Sequence, residues 1–282
     1  MADRTIILID GDIIANKASY AAETRWYEVQ GTTFKYKKEA DKYIKDKGLE
    51  AEPELCKSVL PASMVYKMTD SLIMSICKNV EEDNVRIFIG PPSGTKTFRH
   101  EAAVTAPYKG NRKPGDRAIH LDKARDYLVS KHQAEVVLDM EVDDMLGILQ
   151  EPDGTIIASI DKDLLQIPGW HYNIDSKKMT FVEEPGTLFI TKRKDGKLDL
   201  KGTGFKWFCA QMLLGDPVDN IIKPKKGIGA RKIHNLLKDD TDPKKMWEKV
   251  AKVYKSANIN YEENATLLWI LRDKDKTWRD EL

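Results

Sequence analysis

Cysteine is scarce in this chain, and histidine nearly so. Three cysteines, Cys56, Cys77 and Cys209, and five histidines are spread over 282 residues. Their spacing makes neither a zinc site nor a disulfide framework, which points to a reducing, cytoplasmic setting. Long apolar runs are missing too. No stretch approaches the roughly 20 residues that cross a bilayer, and the opening Met1 to Asp10 lacks the apolar core and small-residue cleavage site of a secretory signal. Neither charge sign dominates: 46 Lys plus Arg stand against 45 Asp plus Glu, a net charge of +1. Net charge therefore designates no partner. A charged fraction of 32% becomes informative only where the two signs segregate along the chain.

Apolar residues make up 41% of the chain, enough for a sizeable core. Residues 5–9 form a branched apolar run that ends at Asp10-Gly11-Asp12, the pattern of a buried parallel strand followed by a turn. A helix is expected over 12–22, a hairpin over Arg25 to Lys38 around Gln30-Gly31, and a helix over 38–47. Pro53 and Pro61 bracket a further helical stretch, and 62–80 has helical apolar spacing. Strands are expected at Val85 to Ile89, Val136 to Leu138 and Thr155 to Ile160, with a helix over 142–150. The segment 93–125 is rich in Lys, Arg, Gly and Pro with little apolar periodicity, and reads as a mobile or arched excursion. Hairpins are expected over 170–200, with turns at Pro185-Gly186 and Asp195-Gly196, and helices after Thr203. The fold class expected is α/β, a central, mainly parallel sheet flanked by helices, with residues 1–202 as one domain and a helical module over 203–282.

Carboxylates recur where apolar elements end. Asp10 closes the first strand; Glu141, Asp143 and Asp144 open a helix; Asp161 and Asp163 follow the strand at 155–160; Asp216 and Asp219 follow an apolar helix. In a parallel α/β sheet the strand ends share one edge, and sites assemble there. Eight carboxylates at one edge disfavour one another's ionisation unless counter-charge is supplied. Oxygen donors without His or Cys indicate Mg²⁺ or Mn²⁺. Two such ions are the usual device for phosphodiester hydrolysis. Taken singly, Asp12, Asp143 and Asp163 are more often helix N-caps than ligands, and Asp216 and Asp219 also read as turn formers. The recurrence after successive elements favours a site.

In order along the chain, these residues resemble the 5′-nuclease family of flap endonucleases, polymerase-associated 5′-nucleases and phage 5′→3′ exonucleases. The resemblance rests on Asp10-Gly11, Phe98-Arg99, Tyr108-Lys109-Gly110-Asn111-Arg112, Glu141-Val142-Asp143-Asp144, Ser159-Ile160-Asp161-Lys162-Asp163, Gly215-Asp216-Pro217-Val218-Asp219-Asn220 and Gly227-Ile228-Gly229. Ile167-Pro168 and Trp269-Ile270-Leu271-Arg272 are most similar to the small bacteriophage members. The resemblance implies a 5′-nuclease/PIN-like sheet and cleavage of duplex DNA from a 5′ end or flap, leaving 5′-phosphates. It implies one metal held by Asp10, Glu141, Asp143 and Asp144 and a second by Asp161, Asp163, Asp216 and Asp219. It also implies Arg99, Lys109 and Arg112 acting on the scissile phosphate, Tyr108 stacking on a terminal base, and Lys113 on DNA. A monomer working beside replication or recombination proteins fits that family. One departure stands out: the family's additional metal-binding Asp after the second strand has no counterpart, since no acidic residue occurs between Val85 and Arg99.

Residues 223–233 surround a Gly-x-Gly turn with Lys225, Lys226, Arg231 and Lys232. Gly227 and Gly229 let the backbone approach a phosphate at the start of the following helix. This resembles the family's helix-hairpin-helix in its three-helix form, which implies a grip on duplex backbone and a K⁺ ion at the turn. Two alternatives stand beside hydrolysis. One is a DNA-binding homologue without catalysis, which the missing acid suggests. The other is a phosphatase of the haloacid-dehalogenase type, suggested by Asp10-x-Asp12, although Ile13 is not the residue that usually follows.

Overall fold

The computed structural model describes residues 5–92, 94–111 and 117–282. In chain order its first half runs β1 (Ile6–Asp10), α1 (Gly11–Ala21), β2 (Glu23–Val29), β3 (Thr32–Phe34), α2 (Lys37–Lys47), β4 (Glu54–Val59), α3 (Ala62–Val80), β5 (Val85–Ile89), α4 (Phe98–Ala102), α5 (Leu121–His132) and β6 (Glu135–Val136). It continues with α6 (Val142–Leu149), β7 (Thr155–Ser159), a 3-10 turn (Asp163–Gln166), β8 (Gly169–Asn173), β9 (Lys178–Val182), β10 (Leu188–Lys192) and β11 (Leu198–Gly202). Then come α7 (Gly204–Leu214), α8 (Ala230–Leu237), α9 (Pro243–Ser256), α10 (Tyr261–Leu268) and a 3-10 turn (Trp278–Glu281).

The main sheet has six strands in the order β6-β5-β1-β7-β8-β9. All neighbours are parallel except β9, which returns antiparallel to β8. β1 lies inside it, and its side chains alternate between two cores as the pleat requires. Ile7 and Ile9 pack with Ile14, Ala18, Val65 and Leu128 of α1, α3 and α5. Leu8 packs on the other face with Phe88, Leu146 of α6, Leu164 and Ile270. A third apolar cluster joins α7 to α10 and takes in Tyr108 and Leu200. The helical half thus shares side chains with the sheet half: Tyr108 enters its core, and Ile270 enters the core beneath Leu8.

Gly11 is required by closeness. A Cβ there would lie 2.7 Å from both Ile89 Cγ2 and the Phe88 carbonyl oxygen, so α1 can start against β5 only with glycine at its first position.

Three local expectations change. The stretch between Pro53 and Pro61 is a strand, not a helix: β4 pairs antiparallel with β2, from Glu23↔Val59 to Glu28↔Glu54. A six-residue run between prolines gains more from a neighbour's ladder than from one and a half helical turns. The segment 93–125 contains α4 and the start of α5, whose Leu121, Ala124 and Leu128 are buried on one face. Pro185-Gly186 links β9 to β10 rather than closing a hairpin, because β10 pairs only with β11.

Candidate active site

β1 and β7 are parallel neighbours, so their carboxyl ends deliver Asp10 and Ser159 side by side. Asp10 caps α1 by accepting from Ile13 N at 3.2 Å, and its other oxygen accepts from Ser159 Oγ at 3.0 Å. Ser159 Oγ in turn accepts from Asp161 N at 3.1 Å, and Asp161 Oδ1 accepts from Asp163 N at 2.8 Å. Asp163 Oδ1 then accepts from Gln211 Nε2 of α7 at 2.6 Å and from Lys162 Nζ at 2.7 Å. One polar chain therefore links the ends of two strands to a helix of the C-terminal half.

The start of α6 adds Glu141 and Asp143. Asp143 is half-buried; desolvation and then the charges of Asp161, Asp10, Glu141 and Asp144 hold its carboxyl well above the usual range. Burial also pushes Asp10 up to about 7, opposed by the Ile13 amide and Ser159 hydroxyl and reinforced by Asp12 and Asp161. Asp163 is pushed up to about 6, by burial and then by Asp161, with Lys162 opposing and Asp216 adding to the rise. Acids raised by one another's charge are close in space. The end of β1, the start of α6, the turn after β7 and the loop after α7 are thus brought together around Asp10, Asp143, Asp161, Asp163 and Asp216.

Asp219 joins from another side. Tyr108 directs its hydroxyl at Glu141 Oε2 and Asp219 Oδ2, each 3.0 Å away. Lys109, held at φ 56° with its amide donating to the Asp219 carbonyl at 3.0 Å, sends its ammonium to Glu141. The Gly215–Ile221 loop is shaped by its own acid: Asp216 Oδ1 accepts from Val218 N at 2.7 Å, and an antiparallel bridge ties Asp216 to Ile221.

Arg99 and Asp144 are placed differently from the other expected site residues. Both are buried, at 2% and 0% exposure. Arg99 grips both Asp144 oxygens, NH2 to Oδ1 at 2.7 Å, and donates to the carbonyls of Leu267 at 3.0 Å and Trp269 at 2.6 Å. Asp144 also accepts from Leu271 N at 3.1 Å and Glu141 N at 3.3 Å. Their charges are spent on each other and on the backbone. Tyr108 likewise packs in the α7–α10 core, at 5% exposure, with no open ring face for a base to stack on.

Three residues of this neighbourhood stand outside the expected site: Arg125 and Gln211 are not singled out from the sequence, and Asp12 reads there only as a helix cap or as the second acid of Asp10-x-Asp12. Asp12 accepts from Gly90 N at 2.9 Å and pairs with Arg125, whose other nitrogen donates to the Gly90 carbonyl at 2.5 Å. The Asp12 carboxylate thereby sits at the end of β5, the strand that carries no acid of its own. Gln211 is the third, and its signal was visible: with Lys206 it is polar within the otherwise apolar run Phe205 to Leu214.

Among the described residues, no three His, Cys, Asp or Glu side chains stand close enough to hold one metal ion. The donor set itself suits a hard divalent cation. It is all carboxylate, and the buried Asp10 and the half-buried Asp143 lie beside like charges with no ion pair to a cation among the described residues. Arg112 and Lys113 lie outside the described residues. Lys225, Lys226, Arg231 and Lys232 are all exposed around the turn before α8; Gly227 has φ 79° and Gly229 caps the helix. The Gly227 carbonyl accepts from Lys232 Nζ at 3.1 Å, so a cation at this turn would compete with that ammonium.

No family model matches the chain, and no curated protein sequence matches it. A solved structure with a similar course of chain is that of a bacteriophage T5 flap endonuclease, a pseudo-enzyme–product complex with DNA and metal ions. It aligns over 99% of this chain and 96% of its own, at 13% identity and a TM-score of 0.49. Among the described residues no helix is long and apolar enough to cross a membrane.

Proposed function

We propose that this protein is a divalent-metal-dependent nuclease that hydrolyses DNA phosphodiester bonds from a 5′ end, a 5′→3′ exonuclease with flap endonuclease activity. The observation that carries the proposal is the meeting of carboxylates from separate elements: Asp10 and Asp161 share the Ser159 hydroxyl, Asp163 is hydrogen-bonded to Asp161, and the charge of Asp161 raises Asp10, Asp143 and Asp163 together. Such crowding is costly unless a cation neutralises it. Asp10, Glu141, Asp143 and Asp161 would hold one ion, and Asp161, Asp163, Asp216 and Asp219 a second, Mg²⁺ or Mn²⁺ in each case. When bound, the ions supply Lewis acidity for activating water and neutralising the phosphate.

The chain's own residues do the rest. Lys109, whose ammonium pairs with Glu141, is placed to draw the phosphate in and to stabilise charge that develops on it. Tyr108 keeps its proton, since burial and the neighbouring Glu141 raise its pKa, and so remains a donor that orients Glu141 and Asp219. Arg99 and Asp144 act as positioning residues by fixing the first turn of α6, which carries Asp143. Preference for a 5′ end rests on the sequence resemblance and on Lys109 lying in the excursion between β5 and α5. The hairpin lysines and Arg231 supply sequence-independent hold on the duplex.

A second reading, DNA binding without hydrolysis, has one observation in its favour: at the end of β5 the nearest carboxylate, Asp12, is engaged by Arg125 and the Gly90 amide. The same engagement counts against a phosphatase using Asp10-x-Asp12, whose second acid would have to be free for proton transfer. One experiment separates the first two. Wild type and the Asp161→Asn, Asp163→Asn double variant are incubated with 5′-labelled blunt and flapped duplexes, with Mg²⁺ or with chelator. Wild type is expected to release 5′-phosphorylated products only with metal. The variant is expected to lose at least about 10²–10³-fold in rate while still binding duplex; undiminished cleavage by it would overturn the assignment.

A further inference from the structure

A cavity of about 940 Å³ opens beside the acid pocket. Its walls are two β-ribbons, β8–β9 and β10–β11. α7 contributes Trp207, Gln211 and Leu214, four and three residues apart and so along one helical face. Asp161 and Asp216 also line it, which makes it continuous with the acid pocket. We propose that this cleft seats unpaired nucleotides of the substrate strand next to the bond that is cut. The inference rests on the nuclease reading for its location and goes beyond it in assigning a binding site to the two ribbons.

Three observations support it. First, the volume lies within the roughly 300–1,000 Å³ of ligand pockets, ample for a base with its sugar and phosphate. Second, each ribbon contributes one exposed lysine. Lys178 lies across from Asn173 on β8 and Lys201 across from Phe189 on β10, and all four line the cavity. Asp199 is the one opposing acid on the ribbon walls among the described lining residues. Third, Phe189 is 47% exposed with its ring on the cavity wall, an unfavourable position for a phenylalanine unless something flat covers it. Aromatic surface for bases together with lysines for phosphates is the combination by which single strands are held without sequence preference. A protein partner fits less well, because the site is a walled recess that runs into an acid pocket.

The test is binding of fluorescein-labelled (dT)6 to the full chain in chelator, followed by anisotropy, for wild type, Phe189→Ala, and Lys178→Ala with Lys201→Ala. These three residues are exposed, so the variants should fold, and melting curves check it. Phe189→Ala, which removes no charge, should weaken (dT)6 binding about fivefold or more and leave blunt-duplex binding within twofold. The lysine pair should weaken (dT)6 and flatten its salt dependence. If wild type does not bind (dT)6, or if both variants bind it within twofold of wild type, the proposal is wrong. Mg²⁺-dependent cleavage of blunt duplex by wild type is scored separately. Its absence would sink the nuclease reading without altering the (dT)6 comparison.

Discussion

Asp143 and Asp144 are adjacent in sequence and opposite in situation. Both open α6, but a helix turns about 100° per residue, so one carboxylate meets Asp10 and Asp161 while the next meets Arg99. The chain order offers no means of telling them apart, since Glu141, Asp143 and Asp144 read as one acidic group. The difference has a consequence for pH. Asp10 ionises near 7 in the fold and near 3.8 when free, so between those values the folded form binds more protons than the unfolded form. Stability of the metal-free protein should therefore fall as pH rises from about 4 to 7. Asp10→Asn removes the ionisation that costs stability. Its metal-free melting temperature at pH 8 should exceed that of wild type by several degrees, at about 2–4 °C per kcal/mol. Mg²⁺ should raise wild type and not the variant. Scanning calorimetry at pH 5 and pH 8, with and without metal, measures all of this; an Asp10→Asn protein that melts lower than wild type at pH 8 would contradict the assigned crowding.

Arg99 shows what elements do to each other. It stands on α4, a helix of five residues too short to be stable alone. Its guanidinium joins α6 through Asp144 to the backbone at Leu267 and Trp269. Burial alone would lower the Arg99 pKa, and Asp144 more than offsets this. Removing one partner leaves an uncompensated buried charge, so Arg99→Ala or Asp144→Ala should each cost about 3–5 kcal/mol. The double substitution should cost far less than their sum. Denaturant unfolding of the three variants provides the cycle, and additive losses would show the pair uncoupled. For Arg99→Met, a milder change, the loss of cleavage should follow the loss of fold rather than exceed it, as suits a residue that positions α6. Elements were legible where they carry a strong period. β1, α1, α3, β5 and β7 lie within a residue or two of their expected places, because branched runs and helical apolar stripes leave one low-energy option. β4 and α5 were not. The seven residues between Pro53 and Pro61 have no local preference strong enough to outweigh a neighbouring strand, and α5 buries only Leu121, Ala124 and Leu128 in a sequence that is otherwise mostly polar.

Across the whole molecule the two charge signs part company despite a net charge of +1. Acid collects at the sheet's carboxyl edge, and exposed base collects around the turn before α8. This arrangement predicts that duplex affinity and hydrolysis can be separated. Replacing Lys225, Lys226, Arg231 and Lys232 together with alanine should lower duplex affinity at physiological salt. The slope of log K against log salt should become shallower by about 0.9 for each phosphate that is no longer neutralised. The single-turnover rate at saturating DNA should change little. Binding isotherms at several salt concentrations check the first two points, and a slope equal to that of wild type would remove the hairpin from the interface.

The sequence by itself determined the strands β1, β5 and β7 at the centre of the sheet, that carboxylates follow several elements, and that base gathers near residues 225–232. Periodicity and turn chemistry are local, and local energies fix them. Only the tertiary structure decided which acids face one another and which are consumed by a partner. Asp12 is held by Arg125 across 113 positions and Asp144 by Arg99 across 45. Gln211 reaches Asp163 across 48. Such choices depend on distances between residues far apart in the chain, and no local pattern encodes them.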